Sequence, residues 1–282
     1  MAGQIKRKRR TAAEVEAIRA VAYEELAAGH PMTLRQVHYR LVGRGDATYT
    51  NTRTDYNQLS KWLVQDRLEG RIPWEWIEDR LRKPRRIAMW GDLPAFIAAV
   101  RRSYRRDVWQ DQPEYLEAWL EKDALSGIFQ GVLGRYGVTL NVGRGFDSAT
   151  SVKDAADRFG SGEGIAVLYF GDFDPSGEDM VRSLRERLWE LGSEPEIVKC
   201  ALTFEDIGHY DLPPDFTKPT DTRSAAFVAQ YGDVAVELDA LPPNVLRERI
   251  RDEVRRRMDL DALEQTREAE RADRRRLDEL LG

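Results

Sequence analysis

This chain of 282 residues has one cysteine, Cys200, and three histidines. A single thiol excludes an internal disulfide framework and leaves too few sulfur ligands for a zinc site, so we expect Cys200 to be a small buried residue. No apolar run approaches the roughly 20 residues that span a bilayer. The basic start "MAGQIKRKRR" has no apolar stretch behind it, so we expect no secretory signal. These absences predict a cytoplasmic protein without a membrane segment.

The chain is rich in charge, and the sign of that charge changes along the sequence. Residues 1–110 contain 22 Lys/Arg and 13 Asp/Glu, whereas the remaining residues contain 22 Lys/Arg and 36 Asp/Glu. The basic residues cluster as "KRKRR" at 6–10, "RLRKPRR" at 80–86 and "RRSYRR" at 101–106. One such cluster is usually solvated surface, but three in one region favour binding to a nucleic-acid backbone. We therefore predict a basic DNA-binding half followed by an acidic half.

Apolar spacing predicts three short helices in the basic half. The first covers 12–28, the second lies in "TLRQVHYRLV" with Thr33 and Gln36 as a capping box, and the third runs through "DYNQLSKWLVQDRLEG". With "RIPWEWIEDRLR" as a wing, they predict a winged helix-turn-helix domain over residues 1–110, although small structural bundles share the three-helix pattern. The predicted DNA contacts of this domain are Lys61, Arg85 and Arg86.

Strands and helices alternate after "DQP" at 111–113. The predicted strands are 115–121, 138–145, 164–172 and 196–202, with helices between them. This alternation is typical of an α/β domain with a parallel sheet covered on both faces, here over 113–245. Residues 246–282 are expected to form a charged helical tail, by default a solvated helix pair. Because active sites lie at the carboxyl ends of such strands, the pattern selects Glu121, Asp172 and Asp174.

The stretch "VLYFGDFDPSGEDM" concentrates acids at the end of an apolar strand. Carboxylates this close raise each other's pKa unless a positive charge lies between them. In one interpretation the aspartates only cap the next helix. In the other they bind a divalent metal, and hard oxygen donors without a Cys or His cluster select Mg²⁺ or Mn²⁺. The predicted metal ligands are Glu121, Asp172 and Asp174.

The motifs and their order resemble the topoisomerase VI A-subunit family, which includes the meiotic protein that makes double-strand breaks. "EKDA", "GRGFDSAT" and "DFDPSGEDM" resemble its TOPRIM domain, which also occurs in topoisomerases, primases and OLD-type nucleases. "RQVHY" resembles the Arg-x-x-x-Tyr motif that carries the nucleophile of the family. The resemblance covers roughly residues 30–205 and is closest in size to the short stand-alone proteins called Mini-A.

The resemblance implies a homodimer that binds double-stranded DNA and cleaves it. Tyr39 would attack the backbone to form a 5′-phosphotyrosyl link, assisted by Arg35 on the same helical face and by Mg²⁺ or Mn²⁺ at the three acids. The tyrosine of one protomer would meet the acids of its partner. Lys122 and Arg144 would contact DNA phosphate, although a surface ion pair suits each equally well. His38 is a weaker candidate for the base that activates Tyr39.

The resemblance also has limits. The family usually has an aromatic residue before the tyrosine, where this chain has His38. No stretch resembles a Walker A motif or a GHKL-type ATPase, so strand passage would need a separate ATPase subunit, and residues 203–245 match no part of the TOPRIM core. Two alternatives stay open, a TOPRIM nuclease that uses water and a non-catalytic DNA-binding relative. The implied location is the nucleoid within the cytoplasm.

Overall fold

The computed structural model describes residues 10–45, 48–78, 87–143, 149–160, 164–214 and 224–281. These residues form a helical N-terminal unit followed by an α/β unit with a parallel sheet. The predicted α/β fold class is thereby confirmed. Three predicted DNA contacts lie outside the described residues, namely Arg85, Arg86 and Arg144. Within the described ranges, no helix is both long enough and apolar enough to cross a membrane.

The N-terminal unit contains the three predicted helices, α1 (Ala12–Gly29), α2 (Leu34–Gly43) and α3 (Arg53–Leu68). The predicted capping box opens α2, since the Gln36 N–H donates to the Thr33 hydroxyl and the Thr33 N–H donates to the Gln36 side chain. The apolar faces of the three helices form one buried cluster. Local periodicity and caps were therefore sufficient to place these helices.

The segment after α3 is held against the α1–α2 turn. Residues Trp74–Trp76 form one 3₁₀ turn, and Ile77 makes an isolated bridge with Met32. The Met32 N–H donates to the Trp76 carbonyl and the Glu78 N–H donates to the Met32 carbonyl, both at 3.0 Å. Residues 79–82, the rest of the predicted wing, lie outside the described residues, so the winged helix stays a prediction.

The basic run at 101–106 begins in the last turn of helix α4 (Leu93–Ser103) and contacts the last helix of the described chain, α11 (Leu260–Leu281). Arg101 Nε lies 3.5 Å from Asp278 Oδ1, and the Tyr104 hydroxyl donates to Asp273 Oδ2 at 2.8 Å. Acidic residues of the same chain therefore neutralise part of this run, one of the three clusters that together favour a DNA surface.

The sheet of the described chain has four parallel strands in the order β2–β1–β3–β4. Their bounds are Tyr115–Leu120 for β1, Thr139–Val142 for β2, Ile165–Phe170 for β3 and Glu196–Ala201 for β4. All four predicted strands are confirmed. Because β1 and β3 are neighbours in register, with Leu120 opposite Phe170, their carboxyl ends meet at one edge of the sheet.

Helices cover both faces of the sheet, as its apolar strands predict. The helices α5 (Ser126–Leu133) and α10 (Pro243–Arg257) pack on one face, and α6 (Ala149–Phe159) and α7 (Pro175–Glu190) pack on the other. Two short helices, α8 (Phe204–His209) and α9 (Ser224–Tyr231), lie between β4 and α10. Cys200 is buried as predicted.

The expected solvated tail is wrong for α10. Leu246, Ile250 and Val254 of this helix are fully buried in the core cluster of the sheet. They recur every four residues and form a narrow apolar stripe. The mean hydropathy of "NVLRERIRDEVRRR" does not reveal this stripe, because most of the segment is charged. The helix therefore belongs to the packing of the α/β unit.

A charged side chain is buried inside the sheet. Glu117, in the middle of β1, has no exposed surface. Arg158 of α6 donates to its carboxylate from Nε at 2.8 Å and from Nη2 at 3.0 Å, and the Tyr115 hydroxyl and Trp119 Nε1 donate at 3.0 and 3.2 Å. The Asn141 amide of β2 also donates to it. This network ties β1 to β2 and α6.

We expect Glu117→Ala to lower the free energy of unfolding by about 3 kcal/mol, because it removes one partner of a buried ion pair and leaves the other donors unpaired. Urea denaturation measures the change. The matched control is Lys153→Ala on α6, whose ion pair with Asp157 is exposed and should contribute less than about 0.5 kcal/mol. Equal losses in the two variants would show that the Glu117 network does not stabilise the sheet.

Candidate functional site

The carboxyl ends of β1 and β3 place acidic side chains together, as predicted. Glu121 follows β1 directly and Asp172 follows β3, and the Asp172 N–H donates to Glu121 Oε2 at 3.0 Å. Asp174 comes two residues later and is close enough for its charge to raise the pKa of Glu121. The three predicted metal ligands therefore lie at one edge of the sheet.

The two aspartates of this edge have different local roles. Asp174 is the N-cap of α7, and its Oδ1 accepts a hydrogen bond from the Gly177 N–H at 2.6 Å. The capping interpretation is thus confirmed for Asp174. Asp172 instead accepts a hydrogen bond from the Leu238 N–H at 2.7 Å, from a distant part of the chain. Capping explains only one of the two.

Two glycines of this motif allow the backbone to turn tightly around the acids. A Cβ on Gly177 would lie 2.3 Å from the Asp172 carbonyl oxygen, and a Cβ on Gly171 would lie 2.7 Å from Glu121 Oε2. Neither position has room for a side chain unless the acids move. The glycines of "GDFDPSG" are therefore part of the geometry that places the carboxylates.

Two further acids reach the site from a segment that sequence reasoning left unexplained. Phe173 and Val236 exchange backbone hydrogen bonds at 2.9 Å in an isolated antiparallel bridge. This bridge places Glu237 and Asp239, the latter in the 3₁₀ turn Leu238–Ala240, around Asp172. The signal available in the sequence was "VAVELD", an apolar run ending in two acids spaced like those of "LYFGDFD".

The positive charge between these acids comes from Lys122. Its Nζ lies 2.9 Å from Asp172 Oδ1, 2.9 Å from Glu237 Oε2 and 3.1 Å from Asp239 Oδ2. Burial alone would lower the pKa of Lys122, but the three carboxylates raise it above its ordinary value. Lys122 was predicted either to contact DNA phosphate or to form a surface ion pair. The structure shows ion pairs, and they lie within the protein and not at its surface.

Helix α2 places the predicted catalytic pair against the same edge. Tyr39 is only 5% exposed and packs into the core cluster of the α/β unit. Arg35, one turn earlier, has its Nε 3.3 Å from Glu237 Oε2. Through Glu237 and Lys122, the Arg-x-x-x-Tyr motif is linked to Asp172 within one chain.

Charge and burial act on Tyr39 in opposite directions. Burial and the nearby Glu237 raise the pKa of Tyr39 above its ordinary value, although Arg35 and Lys122 lower it. Burial also raises the pKa of Glu237, but Lys122, Arg35 and a hydrogen bond with Tyr39 together hold it below its ordinary value. The resting pair is therefore a neutral phenol beside an ionised carboxylate.

His38 is occupied elsewhere. Its Nδ1 lies 2.6 Å from the Tyr49 hydroxyl and its Nε2 lies 3.2 Å from Asn51 Oδ1. The side chain is buried, and burial lowers its pKa below the ordinary value. With both ring nitrogens in contact with other residues, His38 is not positioned as the base for Tyr39.

The acids have the oxygen donors that Mg²⁺ prefers, but their side chains are not arranged around one ion position. The contacts given above use one oxygen each of Glu121, Asp172 and Asp174, which leaves a second hard oxygen on each carboxylate as a donor. Within the described residues, however, no group of three Asp, Glu, His or Cys side chains is arranged so that it could hold a metal ion, and the ammonium of Lys122 lies among three carboxylates of the acidic edge. Metal binding at these acids therefore stays a prediction.

Burial and the adjacent Asp172 raise the pKa of Glu121 to about 7. Since this value lies above that of the unfolded chain, the native state loses stability as pH rises through the interval between the two. We expect Glu121→Gln to remove that loss and to stabilise the metal-free protein at pH 8 by about 2 kcal/mol, with a smaller effect at pH 5. Urea denaturation in EDTA at both pH values tests this, with exposed Glu194→Gln as the control. A destabilised Glu121→Gln variant at pH 8 would contradict it.

The predicted DNA contacts that the structure describes differ in exposure. Lys61 is exposed on α3, on the side opposite the buried Leu59 and Leu63, and is available to a ligand. Lys122 is enclosed by the acids. Only Lys61 of this pair is placed as a surface contact requires.

No family model matches this chain, and no curated protein is similar enough to match it. The motif resemblance and the geometry of the acidic edge are therefore the observations that indicate a function for this chain.

Proposed function

We propose that this protein is a DNA-binding, DNA-cleaving transesterase that resembles topoisomerase VI A subunits, with a winged helix followed by a TOPRIM domain. One observation carries the proposal. Two motifs that are distant in sequence meet in space, because Arg35 and Tyr39 of α2 lie at the acidic edge that holds Asp172, joined to it by Glu237 and Lys122.

In the proposed reaction, the Tyr39 oxygen forms a bond to a backbone phosphorus and the bond from phosphorus to the 3′ oxygen breaks. The phenolic proton passes to Glu237 of the acidic edge that Tyr39 meets during the reaction, its own or that of the partner protomer. The leaving 3′ oxygen takes up a proton from water and departs as a hydroxyl. Arg35 offers its guanidinium to the phosphate. Mg²⁺, when bound by Glu121, Asp172 and Asp174, would neutralise charge on the phosphate and the leaving oxygen.

The burial of Tyr39 adds one requirement to this reaction. At 5% exposure the phenol is inaccessible to a duplex, so DNA binding must separate α2 from the segment that carries Glu237. A homodimer in which Tyr39 of one protomer meets the acids of its partner, as the family resemblance implies, would use such a separation. Strand passage would in addition require a separate ATPase subunit, and the proposed location is the nucleoid.

The burial of Tyr39 also favours a second candidate, a metal-dependent DNA nuclease. The raised pKa of Tyr39 disfavours the phenolate, whereas Glu121 and Asp174 of the acidic edge are only partly buried and can be reached by water. In this alternative, the acids at the strand ends and their metal position and activate water, and Tyr39 contributes only packing.

Cleavage of supercoiled plasmid by the full chain, stopped with denaturing detergent, tests the proposal. We expect Mg²⁺-dependent strand breaks with protein attached to the 5′ ends, and duplex binding that weakens steeply with salt. Breaks without attached protein would replace the transesterase with the nuclease. Binding without breaks would leave a non-catalytic DNA-binding protein, and the absence of both would overturn the whole proposal.

A further inference from the structure

A cavity of about 250 Å³ lies where the α1–α2 turn meets α5 and α10. It is separate from the acidic edge, since none of the acids discussed above is among its lining residues. Three arginines line the cavity, Arg135, Arg247 and Arg251. The lining also includes Pro31, Gly131 and Tyr136. The three arginines therefore line one concave surface.

Two arginines of α10 that do not line the cavity are held in ion pairs, since Arg249 lies 2.7 Å from Asp206 and Arg257 lies 2.7 Å from Glu196. Arg247 and Arg251, four residues apart and hence on one helical face, line the cavity. In the part of the chain that the structure describes, no ion pair joins either of them, or Arg135, to a carboxylate.

The guanidinium of Arg247 is held against the α1–α2 turn. It donates to the Pro31 carbonyl at 3.2 Å and to the Gly29 carbonyl, at the end of α1, at 3.4 Å. A guanidinium has five N–H donors, so this side chain retains donors for an anion. Burial lowers the pKa of Arg247 despite the charge of Glu78, a cost that a bound anion would offset.

Gly131 leaves the cavity accessible from α5. A Cβ built on this residue meets no atom within 4 Å, so close packing does not require glycine here. Glycine inside a helix costs about 1 kcal/mol relative to alanine, and the open space in front of Gly131 is continuous with the cavity it lines. The Tyr136 side chain adds an aromatic wall beside the arginines.

We propose that this cavity is a binding site for a small phosphate-bearing anion, either inorganic phosphate or the phosphate end of a mononucleotide. Guanidinium groups recognise phosphate oxygens through paired N–H donors, and three arginines line this cavity. The volume of about 250 Å³ suits a phosphate with part of a sugar and is below the usual range for larger ligands. The site stands independently of the proposed DNA cleavage.

Titration calorimetry of the full chain with inorganic phosphate and with adenosine monophosphate tests the site. We expect Arg135→Gln with Arg251→Gln to weaken binding roughly tenfold or more, because two charge-assisted contacts are lost. The charge-matched control is Arg275→Gln with Arg276→Gln, two exposed arginines of α11 that do not line the cavity, which should change binding less than about twofold. Gly131→Leu, which fills the opening and keeps every arginine, should also weaken binding.

The two ligands distinguish the source of the phosphate. Tighter binding of the nucleotide assigns the site to mononucleotides, and equal or tighter binding of phosphate assigns it to the free ion. Absence of binding to the parent protein, or equal losses in the cavity and control variants, would overturn the proposal. So would cavity variants that weaken duplex DNA binding while phosphate has no effect, since the arginines would then contact the DNA backbone.

Discussion

Tyr39→Phe is expected to eliminate DNA cleavage and covalent protein–DNA adducts, with the cleavage rate falling more than about 1,000-fold. The substitution removes the one oxygen that attacks phosphorus and keeps the ring, which packs in the core at 5% exposure. Folding should therefore change little. The measurement is the rate of plasmid cleavage together with the amount of protein that remains on DNA in detergent.

The matched control for this variant is Tyr56→Phe. Tyr56 is a partly buried phenol, and burial raises its pKa while the charges of Arg35, Glu237 and Asp239 act on it as they do on Tyr39. Nothing in the family motif assigns Tyr56 a role. We expect this variant to cleave at nearly the parent rate. Undiminished cutting by Tyr39→Phe, with no adduct in the parent, would instead show that water is the nucleophile.

Mixed dimers distinguish a site within one chain from a site shared between chains. The structure places Tyr39 beside the acids of its own chain, whereas the family resemblance implies the acids of a partner. A dimer of one Tyr39→Phe chain and one Asp172→Asn chain has a defect in each site if the sites lie within chains, and it should not cut. If the sites are shared, one is intact and the other has both defects, so the dimer should nick a single strand.

The second large effect is expected for stability. Lys122→Met should lower the free energy of unfolding by about 3–5 kcal/mol at pH 7, because three carboxylates, two of them buried, lose their counterion. These carboxylates belong to Asp172, Glu237 and Asp239, and each lies within 3.1 Å of the Lys122 ammonium. Denaturation with urea measures the loss. The control is Lys153→Met, which breaks only an exposed pair and should cost less than about 0.5 kcal/mol.

The pH dependence of that loss follows from the shifted pKa values. The folded state raises the pKa of Lys122, so its contribution is complete below the ordinary lysine pKa and is lost only as pH rises through the folded value. Neutral pH therefore shows the full effect. Without the ammonium, the acids take up protons more readily, and the variant should recover stability as pH falls from 7 to 5. A loss below about 1 kcal/mol, or one that is the same at both pH values, would contradict this role for Lys122.

The sequence was informative wherever a short segment determines its own conformation. The capping box of Thr33 and Gln36, the parallel strands and the strand-end positions of Glu121 and Asp172 depend on local periodicity, and all are confirmed. The prediction was wrong for α10, whose apolar stripe is narrow among dense charges. Capping by Asp174 was weighed as an alternative and is confirmed for that residue alone.

The sequence by itself determined which helices and strands form and which acids follow β1 and β3, because caps and apolar spacing act over a few residues. Only the tertiary structure decided that Glu237 and Asp239 join them and that Lys122 lies between Asp172, Glu237 and Asp239. Those contacts depend on the Phe173–Val236 bridge, which joins segments more than sixty residues apart. The burial of Tyr39 against the sheet likewise arises from packing between units, for which no local pattern in "RQVHY" is a signal. Long-range pairing selects among many compatible partners, and one sequence does not reveal that selection.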